Sequence, residues 1–173
     1  MGYFIPSSIQ YIVSSIQYLK TFTFATCYYS KRIYMKNKIN TLWKDNMAFE
    51  ATVNGFKIIL DADDAVGGEN RGPRPKPLTL VSLAGCTAMD VISILKKMRV
   101  VPEYFNVEVE GELTEEHPKY FHSINIKYIF RGKDLPMDKL EKAINLSQDR
   151  YCGVSAMLLK VATFTHEIVV EEK

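Results

Sequence analysis

Residues 76–98 read KPLTLVSLAGCTAMDVISILKKM, and this stretch predicts one long helix. Pro77 suits the first turn of a helix, because its missing N–H would have no partner there. Apolar side chains cover nearly every side of the predicted helix, with polar interruptions that include Ser82, Thr87, Asp90 and Ser93. A helix of this kind is either a membrane span or the buried axis of a domain, and the polar interruptions favour the buried axis. We therefore expect a domain built around this helix and no membrane span.

A predicted hairpin and a long loop precede the helix. Residues 47–53 and 56–60 are rich in strand-forming side chains and flank Asn54-Gly55. This dipeptide favours a two-residue hairpin turn, because both turn positions need a positive φ. A third strand is expected in the short apolar run that starts near Ile39. The glycines, prolines and aspartates of residues 61–77 predict a loop that leads into the helix.

Strand and helix patterns alternate after the long helix. Residues 105–113 and 120–130 alternate between apolar and polar side chains and predict two strands joined by a turn. Two helices and a final strand complete the pattern, over residues 137–148, 153–161 and 163–171. This order predicts an α+β domain in which a long buried central helix packs on a curved antiparallel sheet.

Residues 1–34 differ in composition from the rest of the chain. They contain six of the ten tyrosines, three basic residues and no acidic residue. The apolar stretch is too short and too often interrupted to span a membrane, and the basic residues follow it, unlike those of a secretory signal. We expect a disordered or mis-started extension over residues 1–34, which includes Cys27, and a single domain over residues 35–173. An unrecognised targeting or anchoring segment is the alternative.

Composition excludes several classes of protein. The chain has 173 residues, 47% of them hydrophobic and 24% charged, which is typical of one globular domain. Its net charge of +2 gives no reason to expect a nucleic-acid partner. The three cysteines are too few for a disulfide scaffold, which favours a reducing compartment and a cytoplasmic location. No metal or cofactor is predicted, because the three histidines do not converge and the glycines of residues 67–72 match no nucleotide-binding motif.

Cys86 and Cys152 are the candidate reactive residues. A free cysteine is most often a small buried hydrophobic side chain. Here, however, both thiols have small neighbours, in Gly85-Cys86-Thr87-Ala88 and in Cys152-Gly153-Val154-Ser155-Ala156, which leaves space for a substrate. Cys152 lies at a predicted helix start and Cys86 more than two turns inside a helix. The helix dipole therefore favours Cys152 as the better thiolate.

Two motifs resemble the OsmC/Ohr family of osmotically induced and organic hydroperoxide resistance proteins. They are PRPKPLTLVSLAGCTAMDV at residues 73–91 and YCGVSAM at residues 151–157, and the resemblance extends over about residues 36–173. It implies an OsmC-like fold and an intertwined homodimer with active sites at the subunit interface. It further implies a peroxidase that reduces organic hydroperoxides with an external dithiol as reductant. In this family the residue at Cys86 is the peroxidatic cysteine and that at Cys152 the resolving one, which conflicts with the dipole argument.

A peroxidatic cysteine must be a thiolate, so a cation is needed nearby. The candidates are Arg71 and Arg74, on the loop before the helix, and Arg150, two residues before Cys152, and we expect Arg71 and Arg74 to be catalytic. The substrate is expected to contact Met89, Asp90 and Arg150. Asp90 lies four residues after Cys86 on the same helical face, where its charge would raise the pKa of the thiol, so we expect an arginine to pair with it.

One position departs from the family pattern. The family has a glutamate after the proline at the helix entry, and this glutamate holds the catalytic arginine, whereas Lys76 follows Pro75 here. Glu69 is a candidate replacement. The alternative to a peroxidase is therefore a non-catalytic protein of the same fold that binds a small apolar or thiol-reactive ligand. A purely structural role in dimerisation is a third interpretation.

Overall fold

The structure, a computed structural model, describes residues 36–171, so the expectations for residues 1–34 lie outside the described residues. Within this range an α+β domain of six strands and three α-helices is present, as expected. The strands are β1 (Asn40–Asp45), β2 (Ala48–Val53), β3 (Phe56–Leu60), β4 (Tyr104–Leu113), β5 (Phe121–Arg131) and β6 (Thr163–Glu171). The helices are α1 (Pro75–Lys97), α2 (Met137–Leu146) and α3 (Gly153–Leu158), with a 3₁₀ turn at Asp64–Val66 and a π-helical turn at Ser147–Tyr151.

The strands form two three-stranded sheets. Strands β1, β2 and β3 are antiparallel neighbours in that order, and β2 and β3 form the predicted hairpin. Its turn residues Asn54 and Gly55 have φ values of 51° and 85°, which an Asn-Gly pair adopts readily. The second sheet has the order β4-β5-β6.

One pairing in the second sheet differs from the expected antiparallel arrangement. Strands β4 and β5 are antiparallel, whereas β5 and β6 are parallel. The reason is the connection: α2, the π-helical turn and α3 carry the chain back along the sheet before β6 begins, as parallel pairing requires. The sequence predicted these helices without indicating the direction of the final strand.

Helix α1 matches its predicted range to within one residue at each end. Its inner face packs against β4 and α2, and five of its residues are buried: Leu83, Thr87, Val91, Ile94 and Leu95. The helix is long and apolar enough to cross a membrane, with a mean hydropathy of 1.9 over its most apolar window. Its packing on the sheet instead matches the core helix that the sequence predicted. Val81 and Met89, on the other side, are 62% and 72% exposed.

The approach of α1 to β4 is closest at Gly111. A Cβ at this position would lie 2.6 Å from the ring of Phe121 and 3.2 Å from the side chain of Leu80. Phe121 belongs to the buried core and Leu80 packs against it. The absence of a side chain at residue 111 therefore lets the first turns of α1 lie against the sheet.

We predict that Gly111→Val destabilises the protein by about 1–3 kcal/mol, the usual cost of overpacking a core. The measurement is the free energy of unfolding in urea. Glu110→Val is the matched control, since it adds the same side chain at an exposed position on the same strand and should change stability by less than about 0.5 kcal/mol. Equal unfolding curves for Gly111→Val and the unmodified chain would contradict the close approach described here.

Candidate functional site

The structure brings the two candidate cysteines together. Cys86 lies on α1 and Cys152 at the start of α3, and both are free thiols. The two sulfur atoms and a carboxylate oxygen of Asp90 all lie within 4.8 Å of one another. Cys152 is 2% exposed, whereas Cys86 is only partly buried. The pair is therefore reachable mainly from the side of Cys86.

A π-helical turn positions Cys152. The sequence predicted that α2 continues to Gln148, but α2 ends at Leu146 and residues 147–151 form the wider turn. The Cys152 N–H donates to the carbonyl oxygen of Ser147 at 2.8 Å. The Cys152 sulfur in turn accepts from the Ser155 N–H at 3.3 Å and so caps α3. Turns of this type are frequent at functional sites, and this one aims the thiol at α1.

A buried chain of hydrogen bonds lies directly behind the cysteines. The Thr87 hydroxyl lies 2.8 Å from the Tyr128 hydroxyl and 3.0 Å from that of Ser147. The Gln148 amide donates to the Tyr128 hydroxyl at 3.2 Å. Thr87, Tyr128 and Ser147 are fully buried. Burial raises the pKa of Tyr128, so its hydroxyl keeps its proton at neutral pH and remains a hydrogen-bond donor.

Asp90 has a different partner from the one expected. The Ser147 hydroxyl lies 3.2 Å from a carboxylate oxygen of Asp90 and donates to it. Among residues 36–171 no lysine or arginine forms an ion pair with this carboxylate, so its pairing with an arginine stays a prediction. Asp90 faces the two sulfur atoms with its negative charge unpaired in the described part of the chain.

The surroundings of Cys86 keep its thiol protonated. Burial raises the pKa of Cys86, a hydrogen bond to Cys152 raises it further, and the charge of Asp90 acts in the same direction. The N–H of Val154 opposes these effects by favouring the thiolate. No lysine or arginine among residues 36–171 is a cause of the shift in this pKa. The charge of Asp90 therefore raises the pKa of Cys86, as the sequence predicted.

Arg71 and Arg74 lie on the loop before α1 and interact with carboxylates of the same region. Arg71 forms ion pairs with Asp45, Asp61 and Glu69, with its Nε 3.4 Å from each of the last two carboxylates. The structure thus brings Glu69 to Arg71, as the replacement for the missing glutamate would require. It does not bring either arginine to Cys86 within the described chain, so their catalytic roles stay predictions.

Contacts to Asp63, Asn70 and the carbonyl of Gly72 hold the side chain of Arg74.

The shape of the whole loop depends on Asp61, which is 2% exposed. Burial alone would raise the pKa of Asp61, but N–H groups of Arg71, Ala62 and Glu69 donate to its carboxylate and lower the pKa below its usual range.

The remaining candidate residues lie on the surface. Met89 is exposed on α1 one residue before Asp90, and Arg150 is exposed in the π-helical turn. An apolar groove of about 670 Å³ lies elsewhere, between the first sheet and the entry of α1, and neither cysteine lines it. Its walls include Met47, Phe49 and Leu113.

Sequence reasoning missed the residues behind the cysteines. These residues come from three separate segments, which contain Thr87, Tyr128, and the pair Ser147 and Gln148. Side chains with hydroxyl or amide groups are common throughout the sequence. The spacing between Cys86 and Asp90 was a usable signal, and it correctly placed both side chains on one face of α1.

The chain belongs to the OsmC-like family. The sequence pattern of the family described as OsmC-like protein matches residues 67–167. Protein YhfA of Escherichia coli strain K12 is 33% identical to this chain over 129 residues, which cover 74% of this chain and 93% of YhfA.

Solved structures share the fold. A hypothetical protein from Aquifex aeolicus VF5 has a TM-score of 0.72 and 28% identity, over 81% of this chain and 99% of that one. An organic hydroperoxide resistance protein OsmC from Legionella pneumophila has a TM-score of 0.62 and 17% identity, over 81% of this chain and 100% of that one. The OsmC-like fold that the resemblance implied is therefore confirmed.

We predict that Asp90→Asn lowers the apparent pKa with which Cys86 reacts with iodoacetamide, because the substitution removes a negative charge beside the thiol. The measurement is the rate of Cys86 alkylation against pH, followed by peptide mass mapping so that each cysteine is read separately. Asp134→Asn is the matched control, because it removes an exposed carboxylate on the loop between β5 and α2. An unchanged pKa of Cys86 in Asp90→Asn would contradict this description of the site.

Proposed function

We propose that this protein is a thiol peroxidase that reduces organic hydroperoxides through Cys86 and Cys152. The observation that carries the proposal is the distance of at most 4.8 Å between two free sulfur atoms on different elements of the fold. Membership of the OsmC-like family supports a role in stress or hydroperoxide resistance. The name of the Legionella pneumophila protein, an organic hydroperoxide resistance protein, supports the substrate class.

The reaction balances with these two thiols and one external reductant. The Cys86 thiolate attacks the outer oxygen of the hydroperoxide, the O–O bond breaks, and the alcohol leaves with a proton. Cys86 is then a sulfenic acid. The Cys152 thiol condenses with it, which forms the disulfide and releases water. A dithiol reduces this disulfide by exchange and becomes a disulfide itself.

Access supports Cys86 as the residue that meets the peroxide. Cys152 is buried beneath the π-helical turn, while Cys86 is partly exposed on α1. The Cys152 sulfur already accepts a hydrogen bond from the Ser155 N–H. We assign the peroxidatic role to Cys86, because a nucleophile must contact its substrate, and the resolving role to Cys152.

We further propose a homodimer. Apolar side chains that a single chain leaves exposed lie on the first sheet and on α1, among them Leu42, Trp43, Phe56, Val81 and Met89. Large exposed apolar surfaces mark interfaces, and a second copy that covers this one would also bury the outer face of α1. The residue that lowers the pKa of Cys86 would then come from the partner subunit, and the predicted roles of Arg71 and Arg74 would be exerted across the interface.

The proposed location is the cytoplasm, where thiols stay reduced and dithiol reductants are present.

A second candidate function is binding of a small apolar or thiol-reactive ligand without turnover. Two observations favour it: Lys76 replaces the glutamate of the family pattern, and the pKa of Cys86 is raised. Turnover measurements separate the two functions.

We predict that the protein consumes cumene hydroperoxide with dithiothreitol or a lipoyl thiol as reductant, and that Cys86→Ser abolishes consumption. Without added reductant, Cys152→Ser should consume one equivalent of hydroperoxide and leave a sulfenic acid on Cys86, which dimedone traps and mass spectrometry locates. Cys27→Ser is the control and should keep full activity. Activity in Cys86→Ser would overturn the assigned role of Cys86, and inactivity of all forms with freely titratable thiols would favour the ligand-binding function.

We predict that the chain elutes at twice its own mass in size-exclusion chromatography with light scattering, and that Met89→Glu shifts it toward the monomer, because the substitution places a charge in the proposed interface. Met137→Glu is the control: this side chain is also an exposed methionine, but it lies at the start of α2 and is not part of the apolar surface on the first sheet and α1. A monomeric unmodified chain would contradict the proposed homodimer.

A further inference from the structure

We propose that Cys86, Asp90 and Cys152 form a binding site for a zinc ion, with a fourth coordination position open. This inference is independent of the proposed peroxidase activity. Within residues 36–171 these three form the one group of histidine, cysteine and acidic side chains whose ligand atoms converge closely enough to hold a metal.

The geometry fits a tetrahedral ion after small rotamer changes. Bonds of about 2.3 Å to sulfur and about 2.0–2.2 Å to a carboxylate oxygen place neighbouring ligand atoms less than about 4 Å apart. The three ligand atoms already lie within 4.8 Å of one another. Because Cys86 and Asp90 are one helical turn apart on α1, two of the three ligands come from a single rigid element.

The ligand types select zinc over harder cations. Two thiolates and one carboxylate suit a borderline-soft ion, whereas magnesium and calcium require oxygen ligands. Three protein ligands with an open position resemble catalytic zinc sites more than structural ones, which are closed by four ligands. Water or a small anion would complete the coordination.

Groups behind the ligands hold them in place. The fully buried Ser147 donates its hydroxyl to Asp90 and accepts the N–H of Cys152 with its carbonyl oxygen. One residue thus orients two of the three ligands. Such outer contacts typically change metal affinity by about 10–100-fold when they are removed.

The charge of the site favours a cation. No basic side chain of the described chain pairs with Asp90, and its carboxylate faces two ionisable sulfurs. When Zn²⁺ binds, both thiols release their protons, and the two thiolates and the carboxylate leave a net charge of −1 at the site. The ion replaces repulsion between the anionic groups by attraction.

Zinc binding and disulfide formation are mutually exclusive on these atoms. A coordinated thiolate shares electron density with the metal and is a weaker nucleophile than a free thiolate, and the sulfurs of a disulfide carry no negative charge that would bind zinc. Zinc would therefore slow the reaction of the reduced pair with a peroxide, and oxidation to the disulfide would release the ion.

The test uses the full chain with Cys27→Ser, so that the cysteine outside the described residues cannot bind metal. Co²⁺ is the probe, because thiolate coordination gives a near-ultraviolet charge-transfer band, and Zn²⁺ is then added in competition. We expect one equivalent of Co²⁺ to bind with this band and Zn²⁺ to displace it. Asp90→Asn should weaken binding at least about tenfold, and each Cys86→Ser or Cys152→Ser change should weaken it more.

Asp134→Asn is the matched control and should bind Co²⁺ as the parent chain does. Circular dichroism of each metal-free variant verifies that the domain is folded. Absence of the band, an unchanged affinity in Asp90→Asn, or a band that survives replacement of both cysteines would overturn the site. Peroxidase activity is measured separately in the presence of a chelator, because the proposed peroxidase reaction uses only the two thiols and an external dithiol. Failure of the zinc site would therefore leave the proposed peroxidase function untouched.

Discussion

The hydroxyl of Ser147 is the junction on which the arrangement of the site depends. It lies within hydrogen-bond distance of Thr87 and Asp90 on α1, while the carbonyl of the same residue accepts the N–H of Cys152. Through Thr87 the junction extends to Tyr128 on β5. Three elements of the fold therefore meet at a fully buried polar point. A buried group that lost its partner would cost about 1–3 kcal/mol, which strongly favours the one arrangement that satisfies all of them.

The electrostatics of the site explain why its chemistry needs a positive charge from outside the single described chain. In one chain, Cys86 has a raised pKa and Asp90 adds negative charge, while the arginines before α1 interact with their own loop. Such a site holds two thiols close together without activating either by a cation. A second subunit would supply this activation in the peroxidase, whereas a bound zinc ion would balance the negative charge within a single chain and make the thiolates less reactive. Both proposals thus place a positive charge beside Asp90 and the two sulfur atoms.

Local sequence patterns predicted the helices and strands. The differences between prediction and structure come from contacts between residues distant in the sequence. The apolar run around Cys86 and the Asn54-Gly55 turn carry their information within a few residues, so α1 and the first hairpin were predictable. The partner of Asp90 was not, because a serine 57 residues away reaches it through a π-helical turn that no local pattern indicates. The partners of Arg71 follow from the folding of one loop around Asp61. Proximity of Cys86 to Cys152 came from family resemblance and not from spacing.

The parallel pairing of β5 and β6 has a consequence for the order in which this protein folds. β6 can join the sheet only after the whole connection through α2 and α3 has closed, and contacts between residues so distant in sequence form slowly. Cys152 belongs to that connection, whereas Cys86 belongs to a helix made much earlier during synthesis. A nascent chain therefore carries Cys86 without Cys152 beside it until the connection between β5 and β6 has been made, and the paired site is among the later parts of the molecule to be completed.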